Sequence, residues 1–288
     1  MLFFNVAVSL NISGADAAKY LHSQLSADIL ELGVGETSPT LLLEPNGHLV
    51  SLAEIHRISK DEFVLIVPAA ALEAVLVRLR MFLIRTKATI EVDSWLNLVV
   101  DTDDSFSESA IATSGSLPGY YQKARPYRGE ESVLDGAIDP SYIGLCAISN
   151  WPVSIRDIAL GALPNSIGEL GRYASFTKGC YTGQELVERV DSRGAKAPSL
   201  VMAFAGTGFS DELGAEVFQN SKGVGFVTSI AAVSHDLLEL AKLNPKIVLD
   251  DLSSYETVGF MRVTRAFVTD NLTFLGETAK EVKVAAIF

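Results

Sequence analysis

The sequence predicts an α+β protein, with an antiparallel sheet in its N-terminal part and a small β-barrel or sandwich in its C-terminal part. Three observations carry this. Within the first hundred residues, apolar side chains recur at helical spacing in two stretches. Around those stretches lie short β-prone runs, two of them joined by a Pro45-Asn46-Gly47 turn. After Pro198 the texture changes to successive β-prone runs separated by Gly, Asn and Asp.

In chain order, MLFFNVAVSL reads as a first strand; it lacks the basic flank and small-residue cleavage site of a secretion signal. Ser13-Gly14-Ala15-Asp16 fits a helix start, with Ser13 as N-cap and Asp16 favourably placed at the positive end of the dipole. Behind it Ala17, Leu21, Leu25, Ile29 and Leu32 form one apolar stripe. Residues 40–58 read as a hairpin around Pro45-Asn46-Gly47, and FVLIV at 63–67 as a further strand. From 69 to 85, Leu72, Val75, Leu76, Leu79, Phe82 and Leu83 mark an amphipathic helix with Arg78 and Arg85 off its apolar face. DTDDSFSES at 101–109 reads as a loop, and 110–150 is glycine-rich and gives no clear element. LVMAFAG, AEVFQN, GVGFVTSIAAV, YETVGFMRVTRAFV and KEVKVAAIF supply the strands of the C-terminal unit. The boundary falls near 197–200, dividing the chain into 1–197 and 198–288.

The 288 residues are 48% hydrophobic and 20% charged, ordinary for a soluble globular protein. A net charge of −12 argues against broad capture of nucleic acid or anionic membrane. The apolar stretch 63–77 is broken by Pro68 and Glu73 and is shorter than the ~20 residues a bilayer span requires. Two cysteines, Cys146 and Cys180, make no disulfide framework, so a reducing, cytoplasmic setting is expected.

His22, His48, His56 and His235 are scattered, with no pair at metal-ligand spacing, and there is no C-x-x-C, P-loop or G-x-S-x-G. The segment with chemical character is Lys178-Gly179-Cys180-Tyr181-Thr182-Gly183-Gln184-Glu185. Gly179 and Gly183 mark a turn, and Gln184 to Arg189 has helix-forming character. A cysteine just before a helix N-terminus and beside a lysine is placed where a thiolate is favoured. The turn's N–H groups also suit an anionic ligand. Glu185 and Arg189 are spaced to pair along one helix face. From the residues alone a buried, inert cysteine in a turn is the more ordinary reading of the same segment. Cys146, in the apolar run 143–148, reads as inert.

The string KGCYTGQE closely resembles the signature of the YgfZ-type folate-binding proteins, relatives of the glycine-cleavage T-protein (aminomethyltransferase). Further stretches agree in order: Gly14-Ala15-Asp16-Ala17 with Leu21, Gln24-Leu25 and Asp28-Ile29; Leu42 to Gly47; Trp151, Arg156 and Gly161; Arg189 and Gly194; Gly214; and Lys222 to Gly225 with Val227, Thr228 and Ser229. The resemblance implies two ferredoxin-like α+β subdomains within 1–197 and a C-terminal β-barrel in 198–288, arranged as a ring around a folate-sized cavity. It implies a tetrahydrofolate-binding accessory factor for the assembly or repair of iron–sulfur enzymes, including tRNA-modifying ones, acting through Cys180.

Under that reading Cys180 and Lys178 are the catalytic candidates. Asp28, Trp151, Arg156, Tyr181, Gln184, Glu185 and Arg189 are candidates to contact tetrahydrofolate or a one-carbon derivative, and no metal ligands are assigned. Asp28 is equally a helix-surface aspartate, and Trp151 a core tryptophan. Arg156 and Arg193 suit the carboxylates of a folate glutamate, and Lys123, Arg125 and Arg128 form a local basic cluster. The expected partners are folate and iron–sulfur clients or assembly factors, with no direct nucleic-acid binding, no membrane and a monomeric state. The T-protein's transfer chemistry depends on an aspartate near an asparagine-alanine strand end, and the corresponding stretch here, Ile66 to Ala71, has neither asparagine nor acid. Between Arg156 and Lys178 the segment is shorter than is usual in the family, and Glu169 is its only acid. Aminomethyl transfer is therefore the alternative function, and a binding protein that has lost folate the further one.

Overall fold

A computed structural model describes residues 4–101, 111–114, 121–126, 140–148, 157–158, 161–168, 170–193, 196–207, 213–219, 222–243, 252–268, 272–276 and 281–284. Seven strands form the first sheet: β1 (Phe4–Ser13), β2 (Thr37–Leu43), β3 (Leu49–Arg57), β4 (Glu62–Pro68), β5 (Thr89–Asp101), β6 (Ile111–Ser114) and β7 (Tyr121–Pro126). Their order is β2-β3-β4-β1-β5-β7-β6, and every pairing is antiparallel. The second sheet holds β8 (Ser199–Gly206), β9 (Glu216–Gln219), β10 (Lys222–Ala232), β11 (Thr257–Thr264), β12 (Leu272–Gly276) and β13 (Glu281–Val284). Its order is β13-β12-β9-β10-β11-β8, again antiparallel throughout. The mixed α+β class with antiparallel sheets is as the sequence predicts.

Helices α1 (Ala17–Gln24) and α2 (Leu72–Met81) bury their apolar stripes on one face of the first sheet. Leu21, Val75 and Leu79 meet Leu10, Ile12 and Leu65 there. The stripe read from Ala17 to Leu32 is helical only as far as Gln24, because Leu25 turns extended and bridges to Leu42. Leu25, Ile29 and Leu32 still reach the same core. Ser13 does not cap α1; its hydroxyl meets that of Thr89, while Asp16 accepts from the Lys87 N–H. The helix expected over 69–85 is a single 3-10 turn, Ala69–Ala71, followed by α2.

A second core joins the β2–β3 hairpin to the second sheet. Leu41, Leu43, Leu49 and Leu52 pack with α3 (Pro140–Ile148), α4 (Gln184–Arg193) and Val201, Ala203, Val258 and Phe260. Cys146 is fully buried on α3, and burial pushes its thiol well above the ordinary range, consistent with an inert side chain. Helix α5 (His235–Leu243) interrupts the stretch read as all-β. Its Leu237 packs where a side chain at Gly144 of α3 would otherwise stand, 3.0 Å from that Cβ position. The buried carboxylate of Asp157 accepts from the hydroxyls of Thr228 and Ser229, and its carbonyl from Arg262, which ties β10 and β11 to the segment after α3. Among the described residues, no helix is long and apolar enough to cross a membrane.

Candidate functional site

The signature segment is a turn lashed to the end of α1. Ser175 N–H donates to the Ser26 carbonyl (2.9 Å), and Thr182 N–H to that of Ser23 (2.9 Å). Between these two anchors the Lys178 ammonium donates to the carbonyls of His22 (2.6 Å), Leu25 (2.7 Å) and Ala27 (2.7 Å). Three acceptors use all three N–H donors of an ammonium. The lysine thus satisfies carbonyls that α1 leaves open as it ends, a favourable place for a cation. Burial pulls Lys178 down to about 8, with Asp28 opposing. Its ammonium also sits 4.9 Å from the Tyr181 ring centre.

A second contact fixes the far side of the turn. Gly183 (φ +86°) lies so close to the hairpin that a Cβ there would stand 2.7 Å from the Glu44 carbonyl and 3.1 Å from Gly47 Cα. A Cβ on Gly47 (φ +86°) would stand 2.3 Å from Leu186 Cβ. The two glycine turns therefore pack backbone against backbone, which is what their lack of a side chain permits. Arg78 braces this joint from α2. Sequence periodicity places it off the apolar face, yet it is 1% exposed. Its Nε donates to the Leu43 carbonyl (2.7 Å) and its Nη1 to Gln24 Oε1 (3.0 Å), which Thr182 Oγ1 also approaches at 3.4 Å. Its Nη2 is buried without a hydrogen-bond partner, and its guanidinium lies 4.6 Å from the Phe82 ring centre. Polar partners at the α1–β2 joint explain why an arginine is buried here.

On this framework Cys180 is exposed, four residues before α4 begins at Gln184. Of the turn's N–H groups, that of Tyr181 is taken by Gln184 Oε1 (3.1 Å) and that of Thr182 by Ser23, so those two do not await an anion. Gln184 also donates through Nε2 to Glu188. Among the described residues that is the side-chain pairing in the first turn of α4; the expected Glu185–Arg189 pair does not form, and both side chains are exposed. Tyr181 is buried in the second core, and its hydroxyl is pushed up to about 12 by burial and by Glu188. Asp28 caps the N–H groups of Leu30 and Glu31 and lies 3.3 Å from His22 Nδ1.

The structure thus brings Asp28, Lys178, Tyr181 and Gln184 to one corner with Cys180. Trp151, Arg156, Arg128 and Glu169 lie outside the described residues, as does the side chain of Arg193. Lys123 and Arg125 fall on β7, their side chains likewise undescribed. His22, Gln24, Ser26 and Arg78 belong to the corner and sequence reasoning missed them as site residues. The turn expected to hold an acid in a transferase, Ala69–Ala71, carries only alanine side chains. No cluster that could hold a metal ion occurs among the described residues.

No family model matches the chain. It is 26% identical over 230 residues to an uncharacterized protein of Haemophilus influenzae, covering 76% of this chain and 80% of that one. It is 26% identical to the "tRNA-modifying protein YgfZ" of Edwardsiella ictaluri, covering 66% of each chain. The protein of the same name from an Enterobacter species is 24% identical, with 66% of this chain and 67% of the relative covered. Among solved structures, the glycine cleavage system aminomethyltransferase T of Bartonella henselae superimposes with a TM-score of 0.68 at 13% identity, over 99% of this chain and 85% of its own. The chain is YgfZ-like and has a T-protein-like fold. This likeness agrees with the resemblance read from KGCYTGQE.

Proposed function

We propose that the chain is a tetrahydrofolate-binding accessory factor for the assembly or repair of iron–sulfur enzymes, tRNA-modifying ones among them, acting through Cys180. One observation carries this reading: in a YgfZ-like chain, the signature cysteine is exposed on a turn fixed to both α1 and the β2–β3 hairpin. An exposed thiol on a rigid support suits transient ligation of iron with a partner, or protection and reduction of an oxidised intermediate. Lys178 enters the proposal as the residue that positions the turn, since its donors are committed to carbonyls. Folate would lie in a central cavity ringed by the two subdomains of 1–197 and a closed barrel of 198–288. Asp28, Trp151, Arg156, Gln184, Glu185 and Arg189 are its proposed contacts, with Tyr181 supporting them from beneath. Clients would be iron–sulfur proteins met in the cytoplasm by a monomer.

Calorimetric titration of the full chain with tetrahydrofolate tests the ligand. The expected result is saturable heat with an upward shift in melting temperature, since a ligand that binds only the folded state stabilises it. Neither heat nor shift would instead favour a binding protein that has lost folate. Methylenetetrahydrofolate formed from an aminomethyl donor would favour the transferase; none is expected, because Pro68 to Ala71 offers no carboxylate to steer the proton.

A further inference from the structure

We infer that the exposed face of α2 and the turn after it form a docking surface for an acidic amphipathic segment of a protein partner. That this partner is an iron–sulfur client rests on the reading above; the docking itself does not. Helix α2 turns Val75 and Leu79 into the first core and leaves its outer side without cover. On that side Val77 is 60% exposed and Met81 53%, and just beyond the helix Phe82 is 39% and Ile84 78% exposed. Val77, Arg80 and Met81 stand three and four residues apart, so they share one face of α2. Single exposed apolar side chains are ordinary on a surface. A run of large ones along one element is a patch of the kind that marks an interaction site.

The charges on this surface decide what fits it. Arg80, Arg85 and Lys87 are exposed in the same stretch, and none makes an ion pair among the described residues. They stand together in a chain whose net charge is −12. Of the carboxylates on neighbouring elements, Glu73 stands at the opposite end of α2, Glu44 lies 4.0 Å from the buried Arg78, and Asp16 accepts from the Lys87 N–H. Arg85, directly after Ile84, has a left-handed backbone (φ +64°), a conformation that collects at binding sites. Cations set among apolar side chains call for carboxylates set among apolar side chains, which an acidic amphipathic helix supplies. A second copy docked about a two-fold axis would instead bring these cations against their own kind. A phosphate backbone would pair with the cations and leave Val77, Met81 and Ile84 with nothing apolar to meet. An anionic bilayer would be repelled by the rest of the chain.

The surface is built on the frame that carries the signature turn. From the buried side of α2, Arg78 reaches the Leu43 carbonyl and Gln24, and its guanidinium lies 4.6 Å from the ring centre of Phe82 in the patch. Gln24 in turn is 3.4 Å from Thr182, two residues after Cys180. A partner seated on α2 is therefore anchored to the same frame as the exposed thiol. Met81, unbranched and adaptable, suits a surface that meets more than one client.

The test uses the full chain and, as probe, a fluorescein-labelled helical peptide of about eighteen residues with leucine on one face and glutamate on the other. Anisotropy titration is expected to show saturable binding that weakens at least roughly threefold between about 50 and 300 mM NaCl. Arg80→Glu with Arg85→Glu is expected to bind at least roughly tenfold more weakly, and so is Val77→Ser with Ile84→Ser. Lys60→Glu with Lys196→Glu changes the net charge equally at exposed sites elsewhere, and is expected to bind as wild type does. All the substituted side chains are exposed, and equal melting temperatures check that each variant folds. No saturable binding, an equal loss in the Lys60 and Lys196 pair, or undiminished binding of a peptide with its leucines scrambled overturns the inference. Tighter binding to tRNA or to phosphatidylcholine–phosphatidylserine vesicles than to the peptide overturns it as well. In complementation at low expression, Arg80→Glu with Arg85→Glu is expected to restore at most about a tenth of the modification that wild type restores. Full restoration there, with none by Cys180→Ser, overturns the docking and leaves the thiol reading intact. Peptide binding together with full restoration by Cys180→Ser does the reverse.

Discussion

Lys178→Met is expected to lower the stability of the fold by about 3–5 kcal/mol, the largest loss of any single change at the corner. Three carbonyls lose their donor at once, and each buried polar group left unsatisfied costs about 1–3 kcal/mol. Chemical denaturation of wild type and variant measures it, and a midpoint shift near zero would contradict the account of Lys178. The pH dependence carries a sign as well. The lysine titrates at about 8 when folded, against 10.5 for the free side chain. Below the folded value it is protonated in both states, and the buried charge costs stability. As pH rises from about 8 toward 10.5 the unfolded chain holds more protons, so this contribution to stability increases. A neutral amine leaves one carbonyl without a donor, and the lowered value means that relief of desolvation outweighs that loss. The gap between wild type and Lys178→Met should therefore widen between pH 8 and 10.

Gly47→Ala carries the second large effect, and Gly35→Ala is its control. Both positions have nearly the same left-handed backbone, φ +86° and φ +84°. An alanine in either place carries roughly 1–2 kcal/mol of backbone strain. At Gly35 nothing lies within 4 Å of the added Cβ, whereas at Gly47 it meets Leu186 Cβ at 2.3 Å and the Gly183 carbonyl at 2.9 Å. Relieving that overlap means separating the hairpin from the signature turn. Gly47→Ala is therefore expected to lose about 2 kcal/mol more than Gly35→Ala, a further drop of roughly 4–8 °C in melting temperature. Equal drops would mean that the two turns are not locked together.

The parts of this corner that a sequence can show are those whose cause is local. Pro45-Asn46-Gly47 announces a hairpin through turn chemistry, and Gly14-Ala15-Asp16 announces the start of α1. The C-terminal strands were legible for the same reason. What stayed hidden depends on partners without a side-chain code. The partners of Lys178 are main-chain carbonyls of α1 and the chain just after it, which any residues at 22, 25 and 27 would supply. The end of α1 was invisible because Leu25, Ile29 and Leu32 are buried at helical spacing by a chain that is no longer helical. Arg78 looked solvated because its partners, the Leu43 carbonyl and Gln24, belong to other elements. His22 is 156 residues from Lys178 and adjoins the signature only once α1 is docked. Helix α5 escaped because its nine residues lie between long β-prone runs.

The central claim is that the exposed thiol of Cys180, on this clamped turn, carries the function. Complementation tests it most directly, in cells that lack their own protein of this kind and have lost activity of an iron–sulfur tRNA-modifying enzyme. Cys180 is exposed, so Cys180→Ser leaves packing intact, and equal melting temperatures will confirm that in the same experiment. Wild type is expected to restore the modification and Cys180→Ser to leave it at the level of the empty vector. Full restoration by Cys180→Ser would contradict the account.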